Sequence, residues 1–529
     1  MHRSGLTKAI RRGERPQARL KWFGRAAVAL AALAASFVAD GTAVAGAASS
    51  NNGTLTIASG ISPASLNPAM SAIAVPVQFY GNLAYEPLII QDVNGKFSPG
   101  LAVSWHYVGT GNTTFSMQLR PNVRFSDGAA MTAAGVAQSI NYYLANSEEP
   151  MPLGPGVSVT ATGPLTVQIT LQRSDPVLPY TFSEDGPAGW IISPTGLADP
   201  TALGNSTHGA GPYMLDPANT IANSKYTYVP NPYYYDKSAI HWKKVVVDVI
   251  TNPSAELAAL ATGQAQVMQG ESQLVATAKS DGLKITSVAA TNGPIVMQAH
   301  ITSTTSPLAN QKVRQALSYA IDRNAIQKAF FGKYATNDQE MEGPGDLGYV
   351  PALAQKYSYD PAKAKRLLAQ AGYPHGFSTN ANCSPQLDQA VLCQAVKSYW
   401  AKIGVNLDVA SPIQSVWISN LIGGKFDFTG IGDFENSAYV QTQGSYQPGL
   451  ETGTYAIPGL ASVYQQASAA PVGSAKAASL WKQVETIEMN ASTVIEIASP
   501  SLIMFSKNVS GISFSPGEPV PYVTQWKPA

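Results

Sequence analysis

Cysteine, charge, histidine and long apolar runs are all scarce in this sequence, and each scarcity removes a class of function. Cys383 and Cys393 are the only cysteines. Two thiols without a neighbouring histidine are too few ligands for a structural zinc site. Charged residues make up 13% of the chain and the net charge is +1, about half the usual charged share. That balance excludes a protein that binds nucleic acid by neutralising phosphates. The six histidines, His2, His106, His208, His241, His300 and His375, are scattered. No H-E-x-x-H, no histidine pair at helical spacing and no EF-hand loop occurs, so no metal site is expected. Gly-x-Ser-x-Gly is also missing, which removes the usual nucleophile elbow of secreted hydrolases. A Ser–His–Asp site assembled in space stays open. Thr207–Gly211 (THGAG) and Gly430–Gly432 contain glycine, but neither leads into Lys-Ser/Thr or a helix, so both read as turns rather than phosphate cradles. The expectation is a protein with no catalytic residues and no cofactor.

The longest apolar run, Ala26–Ala39, falls short of the roughly 20 residues that span a bilayer. Arg11, Arg12, Arg15, Arg19, Lys21 and Arg25 precede it, and Ala43-Val44-Ala45 follows as an A-x-A site. This is the pattern of a secretory signal peptide over residues 1–45. No cysteine lies near the cleavage site, so no lipid anchor is evident, and the mature chain is expected in the periplasm or outside the cell. In an exported chain two closely spaced cysteines predict one local disulfide, Cys383–Cys393. Closing so small a loop is worth at most about 3 kcal/mol by chain entropy.

What is present is a globular chain. Apolar residues are 45% of 529, enough for a sizeable core and two or three domains. Thr54–Ser59 (TLTIAS), Thr114–Leu119 (TFSMQL) and Leu165–Leu171 (LTVQITL) alternate like strands. Thr132 is placed to cap a helix reaching Leu144. Val313, Ala316, Leu317, Ala320 and Ile321 make a helical stripe, predicting a helix over Gln311–Phe331. Asp360 and Pro361 open another helix that ends at Gly372, and a further one covers Gln386–Ile403. Helices alternating with single strands predict α/β organisation.

One stretch concentrates the question of function. Phe426–Tyr439 reads FDFTGIGDFENSAY: a strand running into Gly430-Ile431-Gly432 and then a lone acid, Asp433. By itself it is open to reading as a turn residue, a metal or catalytic acid, or an anchor for a cation. The 24 tyrosines and 8 tryptophans together suit a pocket that stacks on a small amphiphilic ligand.

Seven phrases in order carry a family likeness. They are NLAYEPLI (Asn82–Ile89), LAVSWHY with TFSMQLRPNVRFSDGAAMTAAGVAQSIN (Leu101–Asn141), HGAGPYML (His208–Leu215) and NPYYYDKSAIHWKKVVVDVITNPSAELAALATGQAQV (Asn231–Val267). VRQALSYAIDRNAI (Val313–Ile326), YDPAKAKRLLAQAGYPHG (Tyr359–Gly376) and YWAKIGVNLDV (Tyr399–Val409) complete them. This set resembles the extracellular solute-binding proteins of family 5, the oligopeptide-, dipeptide- and nickel-binding components of ABC importers. The resemblance implies an α/β, bilobal fold like the type II periplasmic binding proteins (cluster C), with an extra domain inserted in the N-terminal lobe. Domain I would comprise 51–90, 210–305 and 500–529, inserted domain II 91–209, and domain III 306–499. Two chain crossings would form the hinge.

The same likeness implies ligand-binding residues. In peptide-binding members an aspartate after the glycine-rich strand receives the ligand's ammonium group, and Gly432-Asp433-Phe434 resembles that position. Trp417, Tyr439 and Tyr446 are added as aromatic neighbours of the strand, and Glu86 as an acid that either lines the cleft or is a buried, paired framework group. Arg314, Asp322 and Arg323 are expected to be structural. The chain departs from the family at two points. Dipeptide binders use a cleft arginine for the far carboxylate, yet no arginine follows Arg366, and the lysines at 397, 402, 425, 476, 482 and 507 are poorer bidentate partners. Nickel binders use a later histidine, and none follows His375. The expected function is therefore an extracytoplasmic peptide-binding component of an ABC transporter. It would act as a monomer, with permease subunits as partners and no nucleic acid. The alternatives are an oligosaccharide or other small organic solute, or a ligand sensor for a membrane receptor.

Overall fold

The computed structural model describes residues 53–529 except 71–77, 93–94, 148–152, 185, 289–294, 336, 338, 341–346, 386–387, 433–437, 450–451, 498–499 and 515–520. The expected signal peptide lies outside the described residues.

Three sheets organise the chain. Thr54–Ser59 lies inside a seven-stranded sheet, parallel to Lys244–Val249 on one side and Val267–Gly270 on the other. Its alternating Leu55 and Ile57 are fully buried, packing with Val245, Val247 and Ile503 against Tyr80, Tyr85, Trp190 and Trp526. The opposite face carries Ala58, Met268 and Met504 against Leu257 and Leu260. A sheet covered on both faces is the α/β arrangement.

The four-stranded antiparallel sheet takes all its strands, Ala102–Tyr107, Thr114–Leu119, Thr166–Thr170 and Ser158–Gly163, from one contiguous stretch. That stretch falls between Thr54–Ser59 and Tyr213–Leu215 of the seven-stranded sheet, so it interrupts that sheet in sequence. Its helix Ala133–Asn146 starts where expected, with Thr132 Oγ1 accepting from the Gly135 N–H at 3.1 Å, a cap worth about 1 kcal/mol.

The third sheet, in the order Asn406–Ala410, Ser378–Cys383, Phe428–Gly432, Ile295–Ala299, Val494–Ile497, is the frame of the second lobe. The chain leaves the seven-stranded sheet after Lys284–Val288 and joins the five-stranded one at Ile295–Ala299. It returns from Val494–Ile497 to Ser501–Phe505. There are thus two crossings, and the first falls before Ile295, earlier than the expected division at 305/306.

The helical stripe Val313, Ala316, Leu317, Ala320 and Ile321 is fully buried, but the helix it predicts does not run unbroken to Phe331. Helix Gln311–Tyr319 ends, and Arg323–Ile326 begins anew, followed by the wider turn Gln327–Phe331. Asp322 is the reason: its carboxylate accepts from the Ala325 N–H at 2.9 Å and caps a second start. Arg323 Nη1 meanwhile takes the Ser318 carbonyl. Arg314 and Arg323 are structural, yet they bond carbonyls: Arg314 those of Leu308 and Ala491, Arg323 those of Glu496 and Ser318. Helix Pro361–Gln370 has Asp360 as its cap at 2.7 Å to Lys363 N, and Gly372 at φ 93 just beyond its end. The left-handed backbone there is what glycine permits.

Candidate functional site

Strand Phe428–Gly432 lies between Ser378–Cys383 (parallel) and Ile295–Ala299 (antiparallel). Phe428 is fully buried with its ring 5.0 Å from that of Trp400. Burial then decreases along the strand, so Ile431 and Gly432 are only half-buried. Gly430 is glycine for a local reason. The disulfide Cys383–Cys393, formed as expected, sits against it, and a Cβ there would stand 2.6 Å from Cys393 Sγ and 2.8 Å from Cys383 Sγ. Ser384 N–H also bonds the Gly430 carbonyl at 2.9 Å. The strand is thereby clamped two residues before its end. Asp433 and Phe434 lie outside the described residues.

The aromatic candidates are close to this strand but turned inward. Trp417, on helix Gln414–Ile422, is buried, and its Nε1 donates to the Asn382 carbonyl at 3.1 Å. Asn382 Nδ2 donates back to the Trp417 carbonyl at 3.0 Å, and Asn382 pairs in register with Thr429. Tyr439 and Tyr446 share one cluster with Tyr464 and Trp481, against which Ile431 of the strand also packs. Tyr439 stacks on Tyr464 at 5.4 Å and sets its edge to Trp481. Its hydroxyl donates to the carbonyl of Ser174 at 3.1 Å, so the second lobe touches the 91–209 stretch here.

Glu86 is apart from these. It is buried among tyrosines, its carboxylate accepting from Tyr235 at 2.6 Å, Tyr234 at 2.9 Å and Tyr522 at 3.4 Å. Burial raises its pKa, against the three hydroxyls and the more distant Arg120, which lower it. A carboxyl satisfied three times inside the first lobe is a framework group in this conformation.

The grouping Ser193, Asp127 and His208 brings together residue types of a hydrolase. Asp127 is the middle member, accepting from Ser193 Oγ and standing 3.4 Å from His208 Nδ1. A general base must instead stand between acid and nucleophile. Ser193 Oγ also caps helix Pro194–Ala198 through the Gly196 N–H. Partial burial opposes ionisation of Asp127, yet bonds from Ser193, the Ala129 N–H and His208 keep its pKa below the usual value. The role is that of a turn lock. Among the described residues no group of three or more His, Cys, Asp or Glu could hold a metal, and no helix is long and apolar enough to cross a membrane.

Sequence reasoning missed the contacts opposite Tyr439. Asn112 Nδ2 donates to the carbonyls of Ser468 and Ala470, both at 2.8 Å. Val177 packs on the Tyr439 cluster. These partners are hundreds of positions apart in sequence and carry no local signal.

Residues 96–449 match the family model described as bacterial extracellular solute-binding proteins, family 5 Middle. The chain is 32% identical over 344 residues to the glutathione-binding protein GsiB of Shigella flexneri, covering 62% of this chain and 63% of that relative. The match thus spans less than two thirds of the relative's length. Among solved structures, a dipeptide binding protein from Pseudoalteromonas sp. SM9913 in complex with Met-Leu superposes with a TM-score of 0.75 at 18% identity, over 90% of this chain and 100% of that one. AgaA from A. tumefacien R10, in complex with agropinic acid, gives 0.74 at 21% identity, over 90% and 99%. At these identities the likeness establishes the bilobal α/β fold of the type II binding proteins.

Proposed function

Because the chain belongs to the bacterial extracellular solute-binding proteins, family 5, we propose that it is the extracytoplasmic binding component of an ABC importer. It captures peptides between its lobes and presents them to a membrane permease. Residues 1–45 act as the export signal, and the mature chain works as a monomer in the periplasm or outside the cell. The observation that carries this reading is the clamped strand Phe428–Gly432. It packs against the disulfide at Gly430 and becomes less buried toward Gly432, beside the cluster whose Tyr439 touches Ser174 of the other side. Its support on the comparison side is the relative that binds glutathione and the structural neighbour holding a dipeptide.

In this reading Gly432, Asp433 and Phe434 contact the ligand, with Asp433 receiving its ammonium group. A carboxylate in a closing, drier cleft holds a cation more tightly than one in water. Trp417, Tyr439 and Tyr446, each at most 5% exposed, form the wall behind that site, and Glu86 holds the first lobe in shape. Domain I (51–90, 210 to the first crossing before Ile295, 500–529) with inserted domain II (91–209) makes the first lobe, and domain III (from Ile295 to 499) the second. The lack of arginine after Arg366 favours a second reading, a small organic solute without a terminal carboxylate to be gripped by that lobe.

The test compares Asp433→Asn with the natural protein by calorimetry. Binding of a free-amine peptide should weaken about 10- to 100-fold, as expected for a charge-assisted hydrogen bond worth roughly 1.5–3 kcal/mol. Binding of the N-acetylated peptide should barely change. Equal losses for both would remove Asp433 as the anchor, and native mass spectrometry of freshly purified protein would identify any carried ligand directly.

A further inference from the structure

The contact between the 91–209 stretch and the second lobe contains an acid that the binding reading does not use. Asp175 follows strand Thr166–Thr170 and is 1% exposed. Its Oδ1 accepts from the Val177 N–H at 2.9 Å, and its own N–H donates to the Asn112 carbonyl at 3.0 Å. Oδ2 is buried with no hydrogen-bond partner. The residues on either side of it make the contact: Ser174 receives the Tyr439 hydroxyl, Val177 packs on the Tyr439 cluster, and Asn112 holds the carbonyls of Ser468 and Ala470. Asp175 is therefore buried beside the contact that closes these two parts of the molecule.

The compensating charge near Asp175 is that of Arg173, which forms no ion pair with it. Arg173, two residues away, is solvent-exposed, and among the described residues the ion pair present is His208–Asp127, not Arg173–Asp175. Tyr107 from strand Ala102–Tyr107, Tyr439 from helix Ala438–Gln441 and Tyr464 from helix Leu460–Ala469 are neutral phenols whose own pKa values burial pushes upward. An ionised carboxylate with one oxygen unbonded in such a site is strongly disfavoured.

We propose that this seam is a proton-linked latch, in which the 91–209 stretch and the second lobe close more readily when Asp175 is neutral, so that closure takes up a proton. Separation of the two parts hydrates Asp175 and releases that proton. The inference rests on the closing-cleft reading but not on any ligand. Desolvation raises the closed-state pKa to about 7 from an ordinary 3.8, against the bond from Val177 N–H and the Arg173 charge. A carboxyl raised on closing favours closure fully below its open-state value and loses that advantage as pH climbs through about 7. Between pH 5 and pH 8 the closure constant should then fall roughly 100-fold, tenfold per pH unit up to the closed-state value.

Spin labels can read this without ligand. Both native cysteines are in the disulfide, so Val108→Cys and Val472→Cys, on exposed positions either side of the seam, accept labels selectively. Distances measured by electron paramagnetic resonance at pH 5 should show a dominant short population that gives way to a longer one at pH 8, reversibly. Adding Asp175→Asn should keep the short population at both pH values. Superimposable distributions at pH 5 and pH 8 in the Asp175 protein would overturn the proposal, as would a pH response unchanged by Asp175→Asn. The first comparison decides the matter even if the asparagine variant fails to fold. Because no ligand is added, failure here leaves the Asp433 experiment untouched, and failure there leaves the latch untouched.

Discussion

Gly430→Ala tests whether the disulfide sets the position of the strand that leads to the ligand site. The added Cβ would meet Cys393 Sγ at 2.6 Å and Cys383 Sγ at 2.8 Å, with Cys383 Cα at 3.3 Å. Neither sulfur can rotate away, because each is held by the other and both residues are fully buried. Relief must come from the strand or from helix Gln389–Ala401, and overpacking of this kind costs about 1–3 kcal/mol. Replacing both cysteines by alanine removes the crosslink at a cost of about 3 kcal/mol by chain entropy, but it also vacates the volume the new methyl needs. In that background Gly430→Ala should cost less than about 0.5 kcal/mol, leaving a coupling energy of about 1–2.5 kcal/mol between glycine and disulfide. Urea unfolding of the four proteins, followed by tryptophan fluorescence, measures the cycle. Additive costs, equal within about 0.5 kcal/mol in the two backgrounds, would refute the argument that the sulfurs are why position 430 is glycine.

Three further outcomes follow from buried polar groups. Glu256 is 5% exposed with Oε1 unpartnered, and burial, helped by the neighbouring Glu271 charge, raises its pKa to about 8 from 4.5. Its neutral form suits the fold, so stability should fall as pH rises from about 4.5 toward 8. Glu256→Gln should remove part of that slope and stabilise the protein relative to the natural chain by roughly 2–4 kcal/mol more at pH 8.5 than at pH 4.5, read from urea midpoints; parallel curves would exclude Glu256 as the titrating group. Arg314→Met should destabilise by about 2–4 kcal/mol, because the carbonyls of Leu308 and Ala491 lose their buried donors; a change below about 0.5 kcal/mol would show those carbonyls find other partners. Tyr235→Phe removes the 2.6 Å bond to Glu86 and should cost about 1–3 kcal/mol, read from the thermal transition at neutral pH. An unaltered thermal transition would mean Tyr234 and Tyr522 alone suffice.

The closing geometry has a consequence for how ligand energy is used. Only interactions stronger in the closed than in the open arrangement shift the lobes. Asn112, Ser174 and Val177 meet the second lobe through the protein's own groups in this conformation. A ligand bound near Gly432 therefore adds to contacts that the protein itself supplies, and a buried acid beside them opposes closure when ionised.

Local chemistry made much of this protein legible in its sequence. Leu55 and Ile57 alternate because one face of a strand is buried, Thr132 and Asp360 cap helices through their own side-chain oxygens, and Gly372 takes a left-handed turn that other residues resist. The cysteine pair was readable because its loop is short. These are interactions within a few residues, so the sequence by itself determined them, along with the α/β class that their order implies. The break at Asp322, the carbonyl partners of Arg314 and Arg323, the early first crossing and the inward turn of Trp417 and Tyr439 were decided only by tertiary structure. Each depends on which distant carbonyl or ring arrives beside a side chain: Ala491 beside Arg314, Asn382 beside Trp417, Ser174 beside Tyr439. The seam at Asp175 is the clearest case. Nothing in its local sequence marks Asp175 as buried, and it becomes a half-satisfied acid beside Tyr107 and the distant Tyr439 and Tyr464. Burial of a charge is a property of the assembled surface around it, and no spacing along the chain encodes that.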